Sequence, residues 1–317
     1  MAHGHGKVIL FGEHAVVHGQ PALAVAVADG AEVKATPIAG TTSRLHIAPW
    51  DVDVDTGEAP NLDREPLQQA LKVACAFEPD GQAFQLSANV HLPSGAGMGS
   101  SAALGVAVLR ALDEARGVCR PDTETYERSL AWERVFHGNP SGVDNAMATH
   151  GGVALFRKNA PLTRVVPRHP IELVVAHSGS SSSTKAMVDS VARQLARDPQ
   201  RVTRDFDAIG AIVMNGKLAL EQGDLRSLGQ LMTMNHKILA SLMLSTTEIE
   251  EMIAAATEAG ALGAKVTGAG GGGCMIALVE DATHRQKVSD ALRALDRTVF
   301  DVDARGTREP SVGAVHE

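Results

Sequence analysis

The sequence predicts a mixed α/β protein of two domains, and three observations carry that expectation. Apolar segments with strand character alternate with segments whose apolar residues recur at helical spacing. The chain of 317 residues suits two modest domains, or one large domain with an appendage. The stretch 157–170 gathers Pro161, Pro167 and Pro170 with several charges, so the division into residues 1–166 and 167–317 is expected there.

Residues 8–11, 22–28 and 31–37 read as strands with turn signals between them, and the acidic run 51–64 reads as a loop. Residues 65–77 read as a helix and 84–92 as a strand. Leu104, Val108, Leu112 and Ala115 then draw a second helix. A helix over 123–136 stops at His137-Gly138-Asn139-Pro140, a strong breaker, and Ser141 opens a shorter one before an apolar strand at 152–156. The second half is expected to start with a strand at 171–176. Helices over 184–197, 202–222, 225–244 and 246–259 follow from periodicity and breakers. Strands at 261–267 and 274–279, a helix and a strand at 298–302 complete it, and the last dozen polar residues are expected to fray.

Composition excludes several classes. Hydrophobic residues make up 44% of the chain, enough for a substantial core, but aromatics only 3%, so recognition of nucleic acid by stacked rings is disfavoured. Basic residues number 29 against 37 acidic, a net −8 without a basic cluster. That balance argues against a nucleic-acid or anionic-membrane partner and leaves room for a local phosphate site. Cys75, Cys119 and Cys274 are odd in number and far apart, as thiols in a reducing compartment would be. No apolar run approaches a membrane span and no signal-peptide core opens the chain, so a cytoplasmic protein is expected.

The most informative segment is Pro93-Ser94-Gly95-Ala96-Gly97-Met98-Gly99-Ser100-Ser101-Ala102-Ala103. Three glycines at alternate positions precede two hydroxyls and a helix. Glycine lets the backbone approach a ligand closely, and a helix start offers unpaired N–H groups and a positive dipole end. The loop is built for an anion, most plausibly a polyphosphate, although no Gly-Lys-Ser/Thr closes it as a Walker A loop requires. The plainer reading is a flexible turn capped by Ser100. A second segment, Lys265-Val266-Thr267-Gly268-Ala269-Gly270-Gly271-Gly272-Gly273-Cys274, packs five glycines into six residues between two expected strands. A tight hairpin needs one or two. The third segment runs Gly6-Lys7-Val8-Ile9-Leu10-Phe11-Gly12-Glu13-His14-Ala15-Val16-Val17-His18-Gly19, a strand opened by a lysine and closed by a charged pair. His14 and His18 have the spacing of zinc ligands on a helix, but the valines and glycines point to strand and turn, which discounts a metal there.

Together these segments resemble the three signature motifs of the GHMP kinases, over a span from Lys7 to about Val279. Within that family the first motif and His137-Gly138-Asn139-Pro140-Ser141-Gly142-Val143-Asp144-Asn145 are similar to the branch that phosphorylates mevalonate. The chain departs from the family pattern at His5, where proline is usual, and at Met98, where leucine is usual; neither change removes a group the chemistry needs. The resemblance implies a two-domain α/β and α+β kinase. Its first domain would be ribosomal-S5-like and bind ATP, its second ferredoxin-like, and the site would lie between them.

Carried over residue by residue, the resemblance implies that Asp144 takes the proton of the substrate hydroxyl. Lys7 would lower the pKa of that hydroxyl and steady the transferring phosphoryl group. Ser101 and Glu133 would be hard oxygen ligands for Mg²⁺. The loop Pro93, Gly95, Ala96, Gly97, Met98, Gly99, Ser100 and Ser101 would grip the ATP phosphates, with Glu13, His14, Asp144, Thr184, Gly270 and Gly271 around mevalonate. Phosphoryl transfer needs mostly positioning and charge neutralisation, so this short inventory suffices. Each residue also has a plainer reading. Asp144 could close a capping box with Ser141, Glu133 could face solvent, Ser101 could be a plain helix-start residue, Thr184 could be an N-cap and Lys7 a surface lysine. Trp50 reads as a core residue or as a wall of the adenine pocket. No nucleic-acid or membrane partner is expected, and a homodimer is compatible with this class.

Overall fold

The computed structural model describes residues 1–57, 64–77, 81–92, 96–138, 140–180, 182–300 and 304. Pro93, Ser94, Gly95 and Asn139 of the motifs, and the ends of the expected strand and tail beyond 300, lie outside the described residues. The first half contains β1 (Ala2–Phe11), β2 (Ala22–Ile38), β3 (Arg44–Ile47), β4 (Val52–Asp55), α1 (Glu65–Ala76) and β5 (Ala83–Val90). It continues through α2 (Ser100–Arg116), α3 (Asp122–His137), α4 (Val143–His150), β6 (Val153–Phe156) and β7 (Thr163–Val165). The second half contains β8 (Glu172–His177), α5 (Thr184–Arg197), α6 (Pro199–Gln222), α7 (Leu225–Ser241) and α8 (Thr247–Glu258). It ends with β9 (Gly263–Val266), β10 (Cys274–Val279), α9 (Ala282–Ala294) and β11 (Thr298–Phe300). Among the described residues, no helix is long and apolar enough to cross a membrane.

Among the described residues, the first sheet has the order β4-β3-β5-β2-β6-β7, with β1 paired to β2. All its pairs are antiparallel except β3 with β5. The second sheet is antiparallel throughout, in the order β11-β8-β10-β9. Its strands therefore lie fourth, first, third, second, with helices in the first and last crossovers, which is the ferredoxin-like arrangement. One apolar core runs through both sheets, from Val8, Leu10 and Phe11 to Val174, Ile276 and Leu278.

Three departures from the sequence reading have physical causes. The strand β2 runs unbroken through Asp29-Gly30, where a turn was expected; its register against β1 jumps between His5 and Gly6, so the glycine serves a bulge. The strand β1 starts six residues earlier than its apolar run because Gly4 and Gly6 face inward. A Cβ on Gly4 would lie 2.1 Å from the Ala103 carbonyl oxygen of α2, so glycine, and not an apolar residue, fills the buried position. The strands β4 and β7 stand where loop or linker was expected, and β3 lies where no element was read. Each is three or four residues long, too short for alternation to register.

Helices in the second half start where the sequence supplies a capping oxygen. Asp198, Asp224 and Asp281 accept from the backbone N–H groups of Arg201, Ser227 and His284 at 3.1, 3.0 and 2.8 Å. Helices α2 and α4 differ: Gly99 and Gly142, both in the left-handed conformation, hold their cap positions, and no side chain caps either. Helix α6 leans on the first half. Phe206 stacks on His18 at 4.6 Å between ring centroids, and Gly216 lies against Phe11.

The tightest backbone approach in the second half is between α7 and β9. A Cβ on Gly263 would sit 2.0 Å from the Gly229 carbonyl oxygen. Gly263→Ala is expected to destabilise the fold by at least about 2 kcal/mol, because backbone, unlike a side-chain tip, cannot give way. Urea unfolding followed by circular dichroism measures it.

Candidate active site

A cavity of about 740 Å³ is lined by residues of both halves. Its floor is set by β1. The Lys7 N–H donates to the Met98 carbonyl at 2.9 Å, which ties the glycine-rich loop to the strand edge. The Lys7 side chain is buried, and its Nζ donates to the Gly97 carbonyl at 2.6 Å and stands 3.4 Å from Asp144 Oδ1. Lys7 is thus no surface lysine. Asp144 sits in the first turn of α4, whose cap is Gly142, so it closes no capping box and its carboxylate is left for Lys7. Its neighbour Asn145 is buried and donates to Ser129 Oγ at 3.0 Å, which fixes α4 against α3.

Gly99 explains the glycine at the helix start. Its φ is +75°, and a Cβ there would lie 3.2 Å from Lys7 Cγ and 3.6 Å from Asp144 Oδ2. A side chain at this position would crowd the pair. Ser100 is the first helical residue and not a cap, no side chain caps the first turn of α2, and Ser100 and Ser101 line the cavity.

The start of α2 is held by two adjacent residues of α3. Trp132 Nε1 donates to the Ser101 carbonyl at 3.0 Å and packs on Gly105, where a Cβ would lie 2.5 Å from the ring. Next to it, Glu133 is buried behind Ser101 and does not face solvent. Its Oε1 has no hydrogen-bond partner among the described residues, while Oε2 lies 3.5 Å from His137 Nε2. Burial first, and the charge of Asp144 second, push the Glu133 carboxyl up to about 7, with the Ser101 hydroxyl opposing. An orphaned buried carboxylate oxygen beside a hydroxyl and a second carboxylate is a set of hard donors that suits a divalent cation.

The opposite wall comes from the turn after β1 and the second glycine loop. His14 has φ +60°, a conformation rare outside glycine, and its Nε2 donates to the Ala269 carbonyl at 2.8 Å. Burial lowers its pKa, so the ring is neutral at pH 7. Glu13 is paired with Lys265, both fully buried. Burial draws each toward its neutral form, raising Glu13 and lowering Lys265, and the charge of each opposes the shift in the other. The Thr267 hydroxyl donates to the Ile9 carbonyl at 3.0 Å and accepts from the Ile9 N–H at 3.2 Å, stitching this loop to β1. The two glycine loops meet where Gly97 and Gly268 abut.

Of the residues singled out in the sequence, Lys7, Glu13, His14, Ala96, Gly97, Gly99, Ser100, Ser101, Asp144, Thr184 and Gly270 line the cavity. Met98 is buried in the core. Gly271 is turned away, its N–H donating to Leu244 and its carbonyl accepting from Ser182 Oγ, so it does not line the cavity. Thr184 is not an N-cap; Ser183 takes that place. His18 stacks on Phe206 and forms no site with His14. Trp50, with Val52, Leu67, Leu104 and Phe136, forms an apolar end of the cavity. Trp132 and Lys265 went unread in the sequence. The only signal for Lys265 is a charged residue inside an otherwise apolar strand.

With this geometry in view, the chain belongs to the GHMP kinases, ATP-dependent kinases of two mixed α/β domains. Residues 67–152 match the GHMP kinases N terminal domain and residues 217–297 the GHMP kinases C terminal domain. Its relatives within the family include mevalonate kinases. That of Thermococcus gammatolerans is 33% identical, with 97% of each chain covered. The crystal structure of L. major mevalonate kinase in complex with R-mevalonate is 32% identical, with a TM-score of 0.80 over 92% of this chain and 90% of that one. The Methanococcus jannaschii mevalonate kinase, 23% identical, shares the fold with a TM-score of 0.83 over 96% of this chain and 98% of that one.

Proposed function

We propose that the chain transfers the γ-phosphoryl group of ATP to the 5-hydroxyl of (R)-mevalonate, giving 5-phosphomevalonate and ADP. The observation that carries the chemistry is the Lys7–Asp144 pair, 3.4 Å apart at the uncapped start of α2. Asp144 accepts the hydroxyl proton as the oxygen attacks the γ-phosphorus and the bond to the β-phosphate oxygen breaks. Lys7, fixed by Gly97, places its Nζ beside the transferring group. Backbone N–H groups from Gly97 to Ser101 and the α2 dipole take the phosphates, and the apolar end at Trp50 and Phe136 suits the purine. Magnesium, when bound, neutralises triphosphate charge; Ser101 and Glu133 are the residues that would hold it, as the orphaned Glu133 Oε1 supports. His14, Gly270 and Thr184 bound the acceptor side. The choice of mevalonate rests on the relatives. The domain division at 166/167 is supported by β7 ending at Val165 and β8 starting at Glu172.

A panel of small alcohols, phosphomevalonate included, tests the reading with ADP release as the readout. Mevalonate is expected to be the preferred acceptor, with turnover lost when Mg²⁺ is chelated. Preference for another acceptor would overturn the assignment.

A further inference from the structure

Lys265 is fully buried on β9, and its Nζ donates to Glu13 Oε1 and to the Val266 carbonyl, the latter at 2.6 Å. Glu13 is equally buried, lines the cavity beside Lys7 and His14, and has a second oxygen, Oε2, with no partner among the described residues. A buried ion pair is a poor way to add stability, since an apolar pair of the same volume serves as well or better. A carboxyl group with one satisfied and one orphaned oxygen calls for a donor, and Glu13 lines the cavity.

We propose that Lys265 is a positioning residue for the acceptor: it holds the Glu13 carboxylate so that Oε2 accepts a hydrogen bond from the tertiary 3-hydroxyl of mevalonate. This rests on the activity proposed above. Mevalonate carries a carboxylate, a tertiary hydroxyl at C3 and a primary hydroxyl at C5. Glu13 repels the first, Asp144 engages the last, and the 3-hydroxyl is the donor that remains. Burial pushes the Glu13 carboxyl up, and the Lys265 charge is the largest influence against that shift. His14 cannot supply the same contact through Nε2, which is already spent on Ala269. Lys265 itself touches no substrate; it acts through Glu13.

The test compares kcat/KM for mevalonate and for its 3-deoxy analogue, 5-hydroxy-3-methylpentanoate, in the wild-type chain and in Lys265→Met. The wild type is expected to prefer mevalonate by about 10- to 100-fold, mostly through KM, as suits a hydrogen bond to a charged group. In Lys265→Met that preference falls to within about 3-fold while KM for ATP moves by less than about 3-fold, since only the 3-hydroxyl contact is lost. A merely structural lysine would weaken both substrates alike and leave the preference intact. If Lys265→Met does not fold, the neutral pair Glu13→Gln/Lys265→Met, which buries no charge, carries the same comparison. Wild-type preference retained in whichever variant folds, or no preference in the wild type, overturns the proposal. A wild type that turns over neither compound overturns the activity reading, and this inference with it.

Discussion

Asp144→Asn is expected to lower kcat by about 10²- to 10⁴-fold, the range a positioned general base contributes. Asparagine keeps the shape of the side chain and cannot take the hydroxyl proton. Little of the loss should appear in KM for ATP, because the proposed phosphate grip is the Gly97–Ser101 backbone and not Asp144. The fold should be untouched: Asp144 is 31% exposed at its side chain, and Lys7 keeps its bond to Gly97. Steady-state kinetics with circular dichroism as the control measure both. A folded Asp144→Asn variant with near-normal turnover would remove the proton acceptor from the mechanism.

Glu133→Gln should separate stability from activity. Burial and the Asp144 charge push the Glu133 carboxyl up to about 7 in the folded state from an ordinary 4.5, so the folded state binds the proton more tightly than the unfolded one. The group is without penalty below pH 4.5. It destabilises progressively as pH rises toward 7, and above that costs about 3 kcal/mol at 1.36 kcal/mol per pH unit. In chelator at pH 8, Glu133→Gln is therefore expected to be more stable than the wild type by an amount of that order, and indistinguishable from it at pH 4. Turnover should fall at least about 100-fold, because metal stabilisation of phosphoryl charge is worth several kcal/mol. Thermal unfolding at the two pH values and a Mg²⁺ titration of activity check the pair of effects. A variant no more stable than wild type at pH 8 would show that Glu133 carries no buried charge.

What the sequence revealed of this molecule divides by range. The helices of the second half were legible to within a few residues because caps such as Asp198 and Asp281 and the apolar period act locally. Lys7 and Asp144 were legible through strings whose spacing resembles a known family. Lys265 was not, because its partner Glu13 lies 252 residues away and no local pattern records the pairing. Trp50 was ambiguous because it sits in a 3-10 turn between two short strands, in a region that reads as loop. Gly30 looked like a turn and serves a bulge, whereas Gly4, on which the sequence gives no signal, is the contact surface for α2.

The Thr267–Ile9 stitch has a consequence for the order in which the protein is made. Its two residues are 258 apart in the chain, so at a synthesis rate of 5–20 residues per second Ile9 waits about 10–50 s for its partner. Lys7, Gly97, Ser101, Glu133 and Asp144 have all been made by residue 144. On the ribosome, every residue that the nucleotide cradle needs from the first half is present while the edge of β1 still lacks the loop that bounds the acceptor. The loop proposed to bound the acceptor is the last part of the site to be made.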